Sequence, residues 1–139
     1  MGSQDVLLLN VMIIDDDEIS NFIYHKVILN NGLSKRIIDF QQARNALDYL
    51  SQNVENEDEL PDLIFLDINM PVINGWDFLD EFEEKIIPKL KKEIVICMLS
   101  SSVYKEDIEK AKAYKYVNEY ISKPLTSEHI NTIVKNHFN

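Results

Sequence analysis

The sequence predicts an α/β domain built as a doubly wound, five-stranded parallel sheet, and two regularities carry that expectation. Short, near-continuous apolar runs alternate with stretches of helical period along the whole chain, the pattern of strands buried on both faces and joined by right-handed helical crossovers. Residues able to do chemistry follow directly on the apolar runs: Asp15 and Asp16 after Ile14, Asp67 after Leu66, Ser100 after Leu99, and Lys123 after Tyr120-Ile-Ser122.

The elements are read in order. Val11 to Ile14 is the first strand, and Ile19, Phe22, Ile23, Lys26 and Val27 recur at three- and four-residue spacing as the expected inner face of the first helix. Asp17 is its expected N-cap, and Asn30-Asn31-Gly32 stops it with residues that tolerate positive φ. Arg36 to Phe40 is a second strand, and Ala43, Ala46, Leu47 and Leu50 are the buried stripe of the second helix. An acidic loop, Asn53 to Leu60, leads through Pro61 to a third strand, Leu63 to Leu66. The third helix starts after Gly75 and buries Phe78, Leu79, Phe82 and Ile86 before Pro88.

Ile94 to Leu99 is the fourth strand. Glu106 to about Lys115 forms a fourth helix with Ile108, Ala111 and Lys112 on one side, and Tyr120-Ile121 is the core of a short fifth strand. The last helix follows Pro124, with Thr126 as N-cap and Ile130, Ile133 and Val134 facing inward.

A chain of 139 residues has room for one full-sized core. Residues 8–139 are read as that domain, and residues 1–7 as a tail or the remnant of a tag. The net charge of -10 argues against attraction to nucleic acid or to an anionic membrane surface, either of which calls for a basic face. No apolar stretch approaches the roughly 20 residues that cross a bilayer, and the N-terminus carries no targeting signal. The single cysteine, Cys97, lies inside an apolar strand and has no internal partner, which implies a reducing, cytoplasmic setting.

Parallel strands share a direction, so their carboxyl ends are neighbours, and an open α/β sheet binds its ligands there. Asp15, Asp16, Asp67, Ser100 and Lys123 are thereby gathered into one crevice. Carboxylates crowded together raise one another's pKa, so a cation is expected among them. Oxygen ligands without His or Cys favour Mg²⁺ over Zn²⁺. Singly, a strand-end aspartate can be just a helix cap, Ser100 a turn residue and Lys123 a surface charge; their joint placement argues for a site.

The motifs Val11-Met-Ile-Ile-Asp-Asp-Asp17, Leu66-Asp-Ile-Asn-Met-Pro-Val-Ile-Asn-Gly75, Met98-Leu-Ser100 and Tyr120-Ile-Ser-Lys-Pro124 together resemble the receiver domains of two-component response regulators, from about Leu8 to the C-terminus. The resemblance implies a flavodoxin-like (βα)5 fold with strand order 2-1-3-4-5. It implies that Asp67 accepts a phosphoryl group and that Mg²⁺ is held by Asp16, Asp67 and the backbone carbonyl of Asn69, with Asp15 acting through water. Lys123 would pair with the phosphoryl group, Pro71 and Gly75 would shape the loop after Asp67, and Ser100 and Tyr120 would form the switch pair. Asn69 and Ser102 would tune the phosphoryl lifetime.

The implied partners are a histidine kinase or phosphotransfer protein upstream and a protein target downstream, with the chain a monomer or weak dimer. It would act either as a stand-alone receiver or as a piece of a longer regulator. It would be no turnover enzyme, performing at most self-phosphorylation and autodephosphorylation.

Two features depart from the family pattern. The segment Ala113 to Glu119 is about one residue longer than usual and lacks a glycine, and Ser100-Ser101-Ser102 leaves the switch hydroxyl open between Ser100 and Ser101, with Ser100 preferred because it ends the apolar run. A haloacid-dehalogenase-type phosphatase is suggested loosely by Asp15-Asp-Asp17-Glu-Ile19. That chemistry needs a further acidic pair after the lysine, where only Glu128 stands, and leaves Asp67 without a role. A non-phosphorylated interaction module on the same fold would not need the acids and the lysine.

Overall fold

The computed structural model describes residues 8–101 and 105–138; the expected tail at residues 1–7 and the expected tuning residue Ser102 lie outside them. Five parallel strands, β1 (Leu9–Ile14), β2 (Ser34–Phe40), β3 (Leu63–Asp67), β4 (Val95–Ser100) and β5 (Val117–Ser122), form one sheet in the order β2-β1-β3-β4-β5. The intervening helices are α1 (Glu18–Asn30), α2 (Ala43–Gln52), α3 (Gly75–Glu81), α4 (Lys105–Ala113) and α5 (Ser127–His137). A π-helical turn, Phe82–Ile86, and a short 3₁₀ turn, Ile87–Lys89, continue α3 and carry the chain through Pro88, which sits in the first positions of the 3₁₀ turn.

Side chains on a strand alternate between faces, and the three central strands are apolar at both parities. Met12, Ile14, Ile64, Leu66, Ile96 and Met98 pack on one face beneath α2, α3 and α4. Val11, Ile13, Leu63, Phe65, Cys97 and Leu99 pack on the other, beneath α1 and α5. The expected stripes of α2 and α3 are all buried, and in α5 Ile130 and Ile133 are buried while Val134 is partly covered. In α4 only Ala111 is buried; Ile108 is half-buried and Lys112 exposed, because this helix rests on the edge of the sheet.

The expected inner face of α1 is corrected. Ile19, Phe22 and Ile23 are exposed, and the buried residues are Asn21, Tyr24 and Ile28. Positions 21, 24 and 28 share one helical face, but its polar first member hid it beside the more apolar neighbouring stripe. Asp17 and Thr126 cap α1 and α5 as expected, Thr126 in a reciprocal capping box with His129. Gly32, just past the end of α1, has φ +68°.

The longer segment before Tyr120 is absorbed in the sheet. Ile96 pairs with Val117 and Cys97 with Glu119, so Asn118 bulges out of the β4–β5 ladder. Its side-chain Oδ1 accepts the Ile96 N–H at 2.9 Å, replacing the missing backbone acceptor. Beyond the bulge the register is regular, and Ser100 stands opposite Ser122.

Candidate functional site

The strand order reverses around β1: the chain passes to β2 on one side and to β3 on the other. The crevice of such a sheet opens at the carboxyl ends of the strands flanking that point, and here β1 ends at Ile14 and β3 at Asp67. Carboxylate oxygens of Asp15, Asp16 and Asp67 all lie within 4.8 Å of one another. Lys123, directly after β5, reaches across with Nζ 2.9 Å from Asp67 Oδ1 and 3.0 Å from Asp15 Oδ2. The Lys123–Pro124 peptide is cis, and the Lys123 N–H donates to the Ser100 carbonyl at 2.9 Å.

The three acids stand in different surroundings. Asp67 and Asp15 are 4 % and 1 % exposed, whereas Asp16 is open to solvent. Asp15 is tied on every side: its N–H donates to Phe40 O, its Oδ1 accepts from the Asp17 N–H, and its carbonyl accepts from Asn21 Nδ2 at 2.9 Å. Burial pushes Asp67 up to about 6, with the Asp15 and Asp16 charges adding to the effect and the Lys123 hydrogen bond opposing it. For Lys123, burial works against the charged form, but the hydrogen bonds and charges of Asp67 and Asp15 outweigh it and hold the ammonium above its ordinary range. The crevice thus holds a cation of its own in contact with two of its three carboxylates.

The loop after Asp67 is shaped by steric necessity. A Cβ on Gly75 would come within 2.7 Å of the Asp67 carbonyl and 2.9 Å of Ile68 Cα, so only glycine allows α3 to start against the end of β3. The Gly75 N–H donates to Ile68 O at 2.8 Å and closes the loop. Asn69 is exposed within it, after buried Ile68. Val72 takes φ 67° with its side chain fully exposed, a left-handed conformation that is unusual for a β-branched residue.

Ser100 is fully buried at the end of β4, while Ser101 is exposed. Tyr120 is half-buried on β5 against the core beneath α4, and its hydroxyl is buried without a hydrogen-bond partner among the described residues. Sequence reading missed Asn21, which is 2 % exposed on α1 and reaches Asp15. The signal available was a polar residue four positions after the Asp17 cap, in line with Tyr24 and Ile28.

The donor set fits a small hard cation. All of it is oxygen, and Mg²⁺ prefers one or two carboxylates and keeps several waters for phosphate oxygens. The exposed carboxylate of Asp16 leaves the mouth open to such a shell.

Comparison with known proteins gives the same direction. The chain is 30 % identical over 125 residues to the sensor histidine kinase CheAY of Helicobacter pylori, covering 90 % of this chain and 14 % of that much longer kinase. A two-component response regulator from Cytophaga hutchinsonii superposes with TM-score 0.85 at 33 % identity, over 95 % of this chain and 97 % of the other. A response regulator receiver protein from Dyadobacter fermentans superposes with TM-score 0.78 at 29 % identity, over 94 % and 98 %. The response regulator receiver domain profile matches residues 11–135, so the chain belongs to that family of two-component signalling domains.

Proposed function

We propose that the domain is a phosphorylation-controlled switch in which Asp67 accepts a phosphoryl group with Mg²⁺ bound beside it. The observation that carries this is the contact of Lys123 with both Asp67 and Asp15, inside a cluster of three carboxylates at the sheet's switch point. Asp16, Asp67 and the backbone carbonyl of Asn69 would hold the ion, with Asp15 reaching it through water. Bound there, Mg²⁺ supplies positive charge to the oxygens of the transferring phosphoryl group.

Asp67 acts as a carboxylate nucleophile: one of its oxygens forms the new bond to phosphorus as the bond from phosphorus to the donor's histidine nitrogen breaks. The Lys123 ammonium, already beside Asp67 Oδ1, neutralises charge on the phosphoryl oxygens. The product carries roughly -1.5 to -2 charges where a single carboxylate stood. Those oxygens recruit the Ser100 hydroxyl, and Tyr120 moves inward, which shifts the balance between two arrangements of the α4, β5 and α5 surface. The Tyr120 hydroxyl, without a hydrogen-bond partner among the described residues, supports a side chain with a second place to go. A groove of about 190 Å³ between α4 and β5, lined by Ile108, Ala111, Val117 and Tyr120 among others, would change shape with it and present the readout to a protein target.

The donor is a histidine kinase or phosphotransfer protein, and the domain works in the cytoplasm as a monomer or weak dimer, where buried Cys97 stays a thiol. Among the described residues no helix is long and apolar enough to cross a membrane. The exposed apolar residues Ile19, Phe22 and Ile23 lie in the first two turns of α1, directly after the acidic pair, and would meet the incoming donor.

The test is incubation with acetyl phosphate and Mg²⁺, followed by intact mass measurement. Wild type should gain one phosphoryl group and Asp67→Asn none. No gain in wild type overturns the proposal, and a gain that persists in Asp67→Asn moves the acceptor elsewhere.

A further inference from the structure

We infer that Asn21 is a positioning residue for the cation site, setting the direction of Asp16 through the backbone; the inference rests on the Mg²⁺ site proposed above. Asp16 has no side-chain hydrogen bond or ion pair among the described residues, and its carboxylate stands in solvent. Whatever aims it must therefore act through the main chain. The Asp15 carbonyl and the Asp16 N–H belong to one planar peptide unit, so holding the oxygen fixes the plane from which the Asp16 side chain departs.

That oxygen is held by Asn21 Nδ2 at 2.9 Å, from inside the interface between α1 and the sheet. The same peptide chain is pinned one residue back, where the Asp15 N–H donates to Phe40 O at 3.1 Å. Together the two bonds anchor the strand end on both sides of Asp15. Asn21 is costly to keep there as mere filling. It is 2 % exposed, on the only inward face of α1, and its Oδ1 is buried with no hydrogen-bond partner among the described residues. A leucine of similar size would fill the space with no unpaired amide oxygen, but it would take the donor away from the Asp15 carbonyl.

A role in packing and a role in aiming Asp16 predict opposite results for Asn21→Leu. The full chain and its Asn21→Leu and Asn21→Ala variants are titrated with Mg²⁺ by isothermal calorimetry, and their stability is measured by urea unfolding without Mg²⁺. Both variants should bind Mg²⁺ about tenfold more weakly, as loss of outer-shell support of a metal ligand does. Asn21→Leu should do so while staying folded with a urea midpoint near that of wild type, since a stranded Asp15 carbonyl replaces the stranded Asn21 Oδ1. Affinity within about twofold of wild type in either folded variant, whatever happens to stability, overturns the inference. Wild type that binds no Mg²⁺ overturns the site itself and the inference with it, so the two failures are told apart by the wild-type titration.

Discussion

Mg²⁺ binding at the proposed site should weaken sharply as pH falls below 6, because a proton would compete with the cation for Asp67. Burial lifts the Asp67 carboxyl from its ordinary 3.8 to about 6, so half of the metal-free protein carries a proton there at pH 6. Relative to pH 8, the apparent dissociation constant should rise about twofold at pH 6 and about tenfold at pH 5. The same shift acts on stability. Since the folded-state value is raised, protonation of Asp67 favours the folded chain; this contribution is complete below 3.8 and is lost as pH rises through about 6. A shift of roughly two units corresponds to about 3 kcal/mol of stability that the ionised, metal-free carboxylate forgoes at neutral pH.

Calorimetric Mg²⁺ titrations between pH 5 and 8 measure the first effect. Urea unfolding of wild type and Asp67→Asn at pH 4 and 7, both without Mg²⁺, measures the second, with the variant cancelling the other carboxylates. Affinity that is flat from pH 5 to 8 would refute the premise that burial governs Asp67. A stability difference between the two proteins that does not change with pH would do the same.

Two further outcomes follow from exposed features. Val72→Gly should stabilise the protein: the left-handed backbone costs an ordinary residue about 1–2 kcal/mol, the extra flexibility of glycine returns about 0.5–1 kcal/mol of that, and the fully exposed side chain gives up no packing. A melting temperature higher by about 2–4 °C is expected, and a lower one would show that Val72 makes contacts that matter. Phe22→Ser and Ile23→Ser should slow phosphotransfer from a partner phosphotransfer protein about tenfold while leaving phosphorylation by acetyl phosphate unchanged. Equal slowing with both donors would place the defect in the acidic crevice and not on the α1 surface.

Much of the molecule was legible in the one-dimensional pattern because the pattern itself is physical. Strands buried on both faces are apolar at nearly every position, so Val11 to Ile14 of β1, Leu63 to Leu66 of β3 and Val95 to Leu99 of β4 stand out as unbroken runs, and the chemistry at their ends is marked by where each run stops. Asp15, Asp16, Asp67 and Lys123 were found in this way, and the structure brings them together. The family motifs supplied what the pattern does not contain, namely the order of the strands.

The rest depended on contacts that no local pattern encodes. The inward face of α1 could not be read by counting apolar residues, because the buried stripe begins with an asparagine whose amide is matched by a carbonyl six residues earlier. The extra residue before Tyr120 showed in the sequence as a difference in length, but its accommodation as a bulge at Asn118 required a free N–H on a neighbouring strand. Gly75 could be read as a turn glycine, whereas the demand for glycine comes from the Asp67 carbonyl packed against it. The sequence by itself determined which residues belong to strands, helices and strand ends, since burial on a sheet imposes a period. Only the tertiary structure decided what each polar side chain satisfies, because a hydrogen bond is settled by its partner as much as by its owner.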